Sequence, residues 1–327
     1  MNFYQIKFFF QARAVVLSGA LAVWAVQGAL GRDVTLEDDG LRVTFDSDSG
    51  ALTRLEDKAA DWTIERRPEL GMSFRLHAPL PERRDNFVLG EKQRAVQASK
   101  ISDHEVCLKW ENPVSEHGGV LAMIFSVEVT LTNGTLTFEG VLTNDSPLPV
   151  ETIDYPCLGD FNPPTDHSQM EARVRRNDRA ADLLADEIYP HFENEKGYWG
   201  VFYPTKTLES QHGFFCLIQS QAPDEGLCVE LNVPALTCRL QYTFEQHPGV
   251  ISSVNNLVPP SDEISGIPVH LEFRTCHFIF ARPHSVVKLM PVVLHSYQGN
   301  WRAGVDYYKQ SRPTPSGSKS GHETDEK

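Results

Sequence analysis

The chain has 327 residues, 41% of them hydrophobic, and its 44 acidic residues outnumber its 30 lysines and arginines, giving a formal net charge of −14. This length and apolar content support one large domain or two ordinary ones. A nucleic-acid partner is not expected, because phosphates require a basic face and the densest basic run, RVRRNDR at 173–179, is interrupted by an acid.

Residues 1–31 have the order of a secretory signal peptide. Lys7 and Arg13 precede an apolar run, AVVLSGALAVWAV, and small residues follow it, with cleavage expected after Gly28 or Gly31. The run is short for a membrane span, and no later segment resembles one. An uncleaved N-terminal anchor is the alternative, because aromatic residues at 8–10 lengthen the apolar region. We therefore expect export to the periplasm or the extracellular space, without a membrane span in the mature chain.

Residues 32–298 alternate apolar and polar side chains with a period of two, which is typical of β-strands. The clearest runs are LRVTF (41–45), FSVEVTL (125–131), LTFEGVL (136–142), TCRLQYTF (237–244) and VHLEFRTCHFIF (269–280). Asn133-Gly134 between the second and third runs predicts a hairpin, because both residues tolerate positive φ. A shift of phase in the last run predicts a bulge near Thr275. The pattern predicts an all-β fold, a large β-sandwich.

The stretch FDSDSGALTRLEDK at 45–58 allows two interpretations. Asp46, Asp48 and Gly50 resemble a calcium loop, but the glycine stands one place early and position twelve is Asp57 rather than glutamate. A turn between two strands explains the same residues and is favoured.

Two segments have helical spacing. RAADLLADEIY at 179–189 places four apolar residues on one side, and Trp301, Val305 and Tyr308 recur at helical intervals within 299–312. Pro313 ends the second helix, and residues 313–327 are too polar to bury apolar surface, which predicts a disordered tail.

The six cysteines follow no metal-binding spacing. They stand at positions 107, 157, 216, 228, 238 and 276, without a C-x-x-C pair. Those at 216, 228 and 238 fall in apolar runs, where cysteine acts as a small buried hydrophobe. One or two disulfides are compatible with an exported protein, and the sequence does not choose among the pairings.

Several segments together resemble a known domain. These are LRVTFDSDSGALTRLEDKAADWTIE (41–65), RRPELGMSFRLHAPLPERRDNFVLGEKQ (66–93), TNDSPLPVETIDYPCLGDF (143–161), GYWGVFYPTKTLESQHGFFCLIQSQ (197–221) and HSYQGNWRAGVDYYKQS (295–311). They are similar to the N-terminal β-supersandwich domain, related to galactose mutarotase, of bacterial uncharacterised glycoside-hydrolase-like proteins. The similarity covers roughly 33–312, and its motifs are structural.

In that group the resemblance implies a (β/α)8 barrel after the sandwich, with catalytic acids at the ends of the barrel strands. The helix at 299–312 then corresponds to the connection between sandwich and barrel. The residues after it are too few for a barrel. The resemblance therefore implies a carbohydrate-associated domain that binds glycans or assists a separate enzyme. A truncated product with a purely structural role is an alternative, as is a helix that simply packs back on the sandwich.

Catalysis by this chain has weaker support. The specific catalytic motifs and cofactor fingerprints are absent from the sequence, and no cofactor or metal is expected. A mutarotase-type site needs an acid and a base beside a sugar ring. The candidates are His167, His191, His212, His270 and His277, with Glu193, Glu195, Glu209 and Glu272. His270 and Glu272 share a strand face, and His277 has the opposite phase unless the bulge intervenes. A glycosidase would need two paired carboxylates, which the sequence does not identify.

Carbohydrate binding needs aromatic rings for stacking and polar groups for hydroxyls. Two loops combine both, at 154–169 and 191–206, and GYWG at 197–200 is the best single candidate. The predicted contact residues are Tyr198, Trp199, Tyr203, Tyr155, Asp160, His167 and His212. The alternative for Trp199 is a strand position with the ring in the core.

Overall fold

The structure is a computed structural model that describes residues 33–165, 168–175, 183–187, 206–210, 214–233, 235–247 and 270–311. The chain separates into two compact units, 1–30 and 31–327, and all described residues belong to the second. The predicted signal peptide and tail therefore lie outside the described residues. Within the described ranges, no helix is long and apolar enough to cross a membrane.

A four-stranded antiparallel meander opens the fold. Its strands are β1 (Val34–Glu37), β2 (Leu41–Phe45), β3 (Leu52–Asp57) and β4 (Trp62–Glu65). Between β2 and β3, Asp46 Oδ1 accepts hydrogen bonds from the Ser49 amide at 2.7 Å and the Ser49 hydroxyl at 2.6 Å. Gly50 follows with a φ of 70°. These local bonds form a tight turn, so the predicted turn is confirmed.

The second sheet has ten strands. In spatial order they are β15 (Leu183–Glu187), β14 (Met170–Arg175), β17 (Phe215–Ser220), β18 (Glu225–Leu231), β22 (Val292–Gln298), β12 (Thr135–Asn144), β11 (Met123–Thr132), β8 (Glu105–Glu111) and β7 (Gln97–Ser102), while β21 (Ser285–Lys288) also pairs with β12. Asn133 and Gly134 join β11 to β12 with φ values of 52° and 70°. The predicted hairpin is thus confirmed.

The third sheet has six strands. In spatial order they are β16 (Lys206–Ser210), β19 (Arg239–His247), β20 (His270–Phe278), β13 (Thr152–Leu158), β5 (Arg75–His77) and β6 (Phe87–Leu89). A short hairpin, β9 (Val114–Ser115) and β10 (Gly119–Val120), and two single-turn 3-10 helices, Pro68–Leu70 and Gly90–Lys92, complete the β region.

One hydrophobic core connects these sheets. Its buried side chains come from the meander and from both large sheets. Tyr155 of β13 illustrates the contact, because its ring meets Phe125 of β11 and Phe138 of β12 edge to face, with ring centroids 5.7 Å apart in each pair. The predicted all-β sandwich is therefore confirmed.

The prediction of a helix at 179–189 is wrong for the part of the segment that the structure describes, 183–187. Residues Leu183–Glu187 form β15, which pairs antiparallel with β14 at the end of the ten-stranded sheet. The segment has helical spacing, but pairing with an available strand edge satisfies its backbone groups and overrides local propensity.

The predicted bulge lies on a different strand. β20 pairs with β19 in an unbroken register from His270 to Phe278. The irregularity is in β13, where Asp154 faces Cys276 and Cys157 faces Arg274, so that β13 contains one extra residue. The apolar phase shift in the sequence arises because the polar side chains of Thr275 and His277 face the core. Because these two core positions are polar, the alternation of apolar residues in the sequence broke off although the strand itself is regular.

The C-terminal helix, α1 (Trp301–Ser311), packs on the ten-stranded sheet against β17, β18 and β22. A second hydrophobic cluster lies between them, formed by Phe215, Leu217, Cys228, Tyr297, Val305 and Tyr308, with Trp301 partly buried beside it. The helix prediction is confirmed, and α1 buries its apolar side on the sandwich. All six cysteines are free thiols, so none of the allowed disulfides forms.

Candidate functional site

The face of the six-stranded sheet that points away from the hydrophobic core carries charged side chains at its centre. β20 buries Leu271, Phe273, Thr275 and His277 toward the core, so the alternate residues of the strand point away from it. We call this surface the polar face and define it by Asp154, Glu245, His270, Glu272, Arg274 and Cys276. All six lie on three neighbouring strands, β19, β20 and β13.

Arg274 is the centre of the polar face. Its side chain is 7% exposed and contacts three carboxylates. Nη1 donates to Glu272 Oε2 at 2.7 Å, Nη2 donates to Glu245 Oε2, and Nε lies 3.4 Å from Asp154 Oδ2. Because these residues come from three strands, the pairing register of the sheet determines the network.

Burial and mutual attraction have opposite effects on this network. Burial disfavours the charge of Arg274, but Asp154, Glu245 and Glu272 outweigh it and raise the pKa of the guanidinium. For Asp154 burial dominates, and the pKa of its carboxyl group is raised despite the attraction of Arg274. The network is thus a desolvated group of charges in which the guanidinium of Arg274 offsets the negative charge of the carboxylates.

His270 and Glu272 form a pair beside this network. The imidazole Nε2 lies 3.5 Å from Glu272 Oε1, and both side chains are largely shielded from solvent. The prediction that they share a face is confirmed. His277 is on the opposite face, in the core, where burial lowers its pKa to about 4 and Nε2 lies 3.0 Å from the Tyr155 carbonyl.

Two further glutamates lie close enough to Glu272 to interact with it electrostatically. Burial raises the pKa of Glu65 well above its ordinary value, although Oε1 accepts hydrogen bonds from the amides of Gly159 at 2.7 Å and Asp160 at 3.1 Å. Burial also raises the pKa of Glu91, and the negative charge of Glu272 adds to this shift. A carboxyl group with a raised pKa keeps its proton to a higher pH than an ordinary carboxyl group does. Two carboxyl groups with raised pKa values therefore lie near Glu272.

Aromatic and cationic groups border the polar face on β5 and β6. The guanidinium of Arg75, a residue that pairs with Asp154 in the sheet, lies 4.1 Å from the centroid of the Phe87 ring. The imidazole of His77 stacks on the same ring, with centroids 4.7 Å apart and an interplanar angle of 25°. This flank therefore places an aromatic ring beside a guanidinium and an imidazole group.

The sugar-contact residues predicted from the sequence do not lie on the polar face where the structure describes them. Tyr155 is buried in the core, and burial raises the pKa of its hydroxyl well above the ordinary value. Asp160 is fully buried; burial opposes its charge, but Arg67 donates to its carboxylate at 2.5 Å and the pKa is lowered. Neither side chain lies on the polar face. Residues Tyr198, Trp199, Tyr203, His167 and His212 lie outside the described residues, as do His191, Glu193 and Glu195. Their roles stay predictions.

Sequence reasoning missed Arg274, Glu245 and Asp154. A signal existed in the strand HLEFRTCHF, where every second residue from His270 to Arg274 carries a polar or charged side chain. For the part of the chain that the structure describes, no group of three or more histidine, cysteine or acidic side chains is arranged to hold a metal ion.

Several solved structures have folds similar to that of this chain. One from Escherichia coli K12, provisionally named an aldose 1-epimerase, aligns with a TM-score of 0.50 and 12% identity over 82% of this chain and 99% of that chain. A galactose mutarotase-like protein from Lactobacillus casei aligns with a TM-score of 0.49 and 10% identity, over 81% of this chain and 100% of that chain. An alpha-N-acetylgalactosaminidase from Bifidobacterium bifidum aligns with a TM-score of 0.48 and 9% identity, over 85% of this chain and 38% of that chain.

No protein-family model matches the chain, and no curated protein matches it in sequence. At these identities the structural likeness shows the fold, which is a galactose mutarotase-like β-sandwich.

Proposed function

We propose that the chain binds carbohydrate on the polar face of the six-stranded sheet. The observation that carries this proposal is the arginine, Arg274, that holds three carboxylates on the sheet face that points away from the hydrophobic core. Desolvating such charges is costly, and groups with shifted pKa values concentrate at functional sites. Carboxylate and guanidinium groups suit sugar hydroxyls, and the rings of Phe87 and His77 suit sugar C–H faces. The galactose mutarotase-like fold supports a carbohydrate-related role.

The role we propose is binding by an exported protein that accompanies a separate catalytic enzyme. Arg274 occupies the three carboxylates of the network, whereas glycoside hydrolysis needs two carboxyl groups that flank a bound glycosidic bond. The signal-like segment at 1–31 supports export.

The polar face should prefer neutral sugars over anionic ones. Three carboxylates outnumber the two guanidinium groups of this region, Arg274 at the centre and Arg75 at the flank, so a sugar phosphate or uronate would meet a net negative charge. We expect isothermal titration calorimetry of the purified chain to show weak binding of neutral monosaccharides and at least about tenfold weaker binding of their phosphates and uronates.

The Glu245→Gln variant locates this binding. It removes one charge from the polar face while keeping the shape of the side chain, and it should weaken neutral-sugar binding severalfold. Glu139→Gln is the matched control, because Glu139 belongs to an exposed ion pair with Lys288 on the ten-stranded sheet. Equal affinities for both variants, or no binding across a panel of common sugars, would contradict the proposal.

A second candidate function is epimerase-type catalysis, favoured by the His270–Glu272 pair and the nearby acids. In such a reaction a base takes the proton of the anomeric hydroxyl while an acid protonates the ring oxygen, which opens the ring. Reclosure on either face, with both protons returned, interconverts the anomers. NMR of freshly dissolved α-glucose and α-galactose tests it. The binding proposal predicts the rate of a boiled control, whereas acceleration that His270→Gln abolishes would establish catalysis instead.

A further inference from the structure

A second, aromatic group of side chains lies at the far end of the same sheet face. Phe278 ends β20 four residues beyond Arg274 and faces the same side, because the β19–β20 register is unbroken. Arg239 pairs with Phe278 in that register, and its guanidinium lies 5.6 Å from the centre of the Phe278 ring. Phe280 stands next to this pair, with its ring centroid 6.4 Å from that of Phe278. We call Arg239, Phe278 and Phe280 the aromatic end.

Phe280 has an unusual conformation for its residue type. Its side chain is 63% exposed, and its backbone has a φ of 46°. A bulky residue in the left-handed region is an outlier, and such strain persists where the surroundings fix the backbone. Here the Phe280 amide donates to the Glu151 carbonyl at 3.1 Å, and the Val150 amide donates to the Ala281 carbonyl at 2.9 Å. The fold therefore holds this ring in solvent on a fixed backbone.

Phe280 is the one aromatic residue among the strongly exposed large apolar side chains of the described ranges. The other strongly exposed large apolar side chains of the described ranges are all aliphatic: Val96, Ile101, Val114, Val120 and Val286. Tilted aromatic rings beside a guanidinium combine a surface for sugar C–H groups with donors for hydroxyls. Scattered aliphatic side chains offer no such combination.

We infer that the aromatic end is a subsite for a second part of the same glycan, so that the natural ligand is an oligosaccharide or polysaccharide. This inference rests on the proposed binding at the polar face. Arg274 and Phe278 are four residues apart on one strand, which corresponds to about 13 Å. That span is longer than one sugar ring. A ligand that touches both ends must therefore contain several units.

The experiment measures how affinity depends on the length of the glycan, with and without the Phe280 ring. Affinities of the wild-type chain are measured by calorimetry for neutral glucose, galactose, mannose, xylose and N-acetylglucosamine series, from one to six sugar units. We expect affinity to rise about tenfold between the monosaccharide and the longer members of one series. Phe280→Asn should remove that gain while leaving monosaccharide affinity unchanged. Asparagine tolerates the left-handed conformation, so the fold should be retained.

Two control variants distinguish the loss of the aromatic ring from the loss of any exposed apolar side chain and from substitution at position 280. Phe280→Tyr keeps the ring and should keep the gain with length. Val286→Asn removes a similarly exposed apolar side chain from β21 and should also leave the gain unchanged.

Each remaining outcome decides the question. Monosaccharide binding without any gain in the longer ligands, or a gain that survives Phe280→Asn, would overturn the subsite and leave the proposed function standing. Absence of binding for every sugar would overturn both. Self-association of the wild-type chain in sedimentation, lost in Phe280→Asn, would assign the ring to a second copy of the chain and overturn the inference as well.

Discussion

Replacing Arg274 with methionine should lower the free energy of unfolding by about 3–5 kcal/mol, because it leaves buried carboxylates without their counter-charge. Arg274 contacts Asp154, Glu245 and Glu272 and is nearly inaccessible to solvent. Methionine keeps most of the volume of the arginine stem, so the loss reports the charge rather than a cavity. Urea unfolding followed by circular dichroism at neutral pH measures this difference.

Arg42→Met is the matched control for this substitution. Arg42 also bridges two glutamates, Glu37 and Glu56, but its side chain is 38% exposed on the meander. Water already screens that group, so its removal should change stability far less than the removal of Arg274. Similar losses in the two variants would show that the network on the polar face is not desolvated.

The second large effect is an acid-dependent loss of stability from His295. This residue of β22 is buried beneath α1, where its ring stacks on Tyr307 with centroids 3.5 Å apart. Burial lowers the pKa of its imidazole to about 3. Because this folded-state pKa lies below the unfolded value near 6.5, the unfolded chain binds the proton more tightly. The stability contributed by neutral His295 is complete above about pH 6.5 and declines as the pH falls toward about 3.

The decline should amount to about 1.4 kcal/mol for each pH unit, or about 2 kcal/mol between pH 6.5 and pH 5. Glu65 has a raised pKa and therefore contributes with the opposite sign, so the total pH dependence of the wild type is not diagnostic. The comparison with His295→Phe isolates the histidine. Denaturant unfolding across this pH range should show a flatter profile for the variant by that amount.

Tyr307→Phe provides the control for the histidine. It removes the hydroxyl that lies 3.1 Å from Thr135 Oγ1 but keeps the ring that stacks on His295. This variant should follow the wild-type pH profile. If His295→Phe and the wild type lose stability in parallel on acidification, the imidazole is not buried as the structure shows it.

Local patterns were enough to predict much of the sandwich. Period-two alternation, the Asn133-Gly134 turn, the turn after Phe45 and the helix at Trp301 each depend on residues that are neighbours in the sequence. Strand β15 escaped prediction because its conformation follows from pairing with β14. The bulge in β13 escaped for a similar reason, since its effect shows only in the register against β20.

The candidate site was less predictable, because it is assembled from distant parts of the chain. Arg274 meets Asp154 and Glu245 only after three strands have paired, and no sequence spacing encodes that meeting. The residues around Tyr155 in the sequence have the composition of a surface loop, yet the Tyr155 ring packs in the core between two sheets. Aromatic residues serve cores and sugar sites equally well, so residue type alone did not separate the two roles.

The most direct test of carbohydrate binding at the polar face is a crystal structure of the chain with the tightest-binding neutral sugar. We expect the sugar against the Arg274 network, with its hydroxyl groups hydrogen-bonded to Glu245 or Glu272. A sugar bound only at another surface, with the polar face unoccupied, would contradict the proposed function.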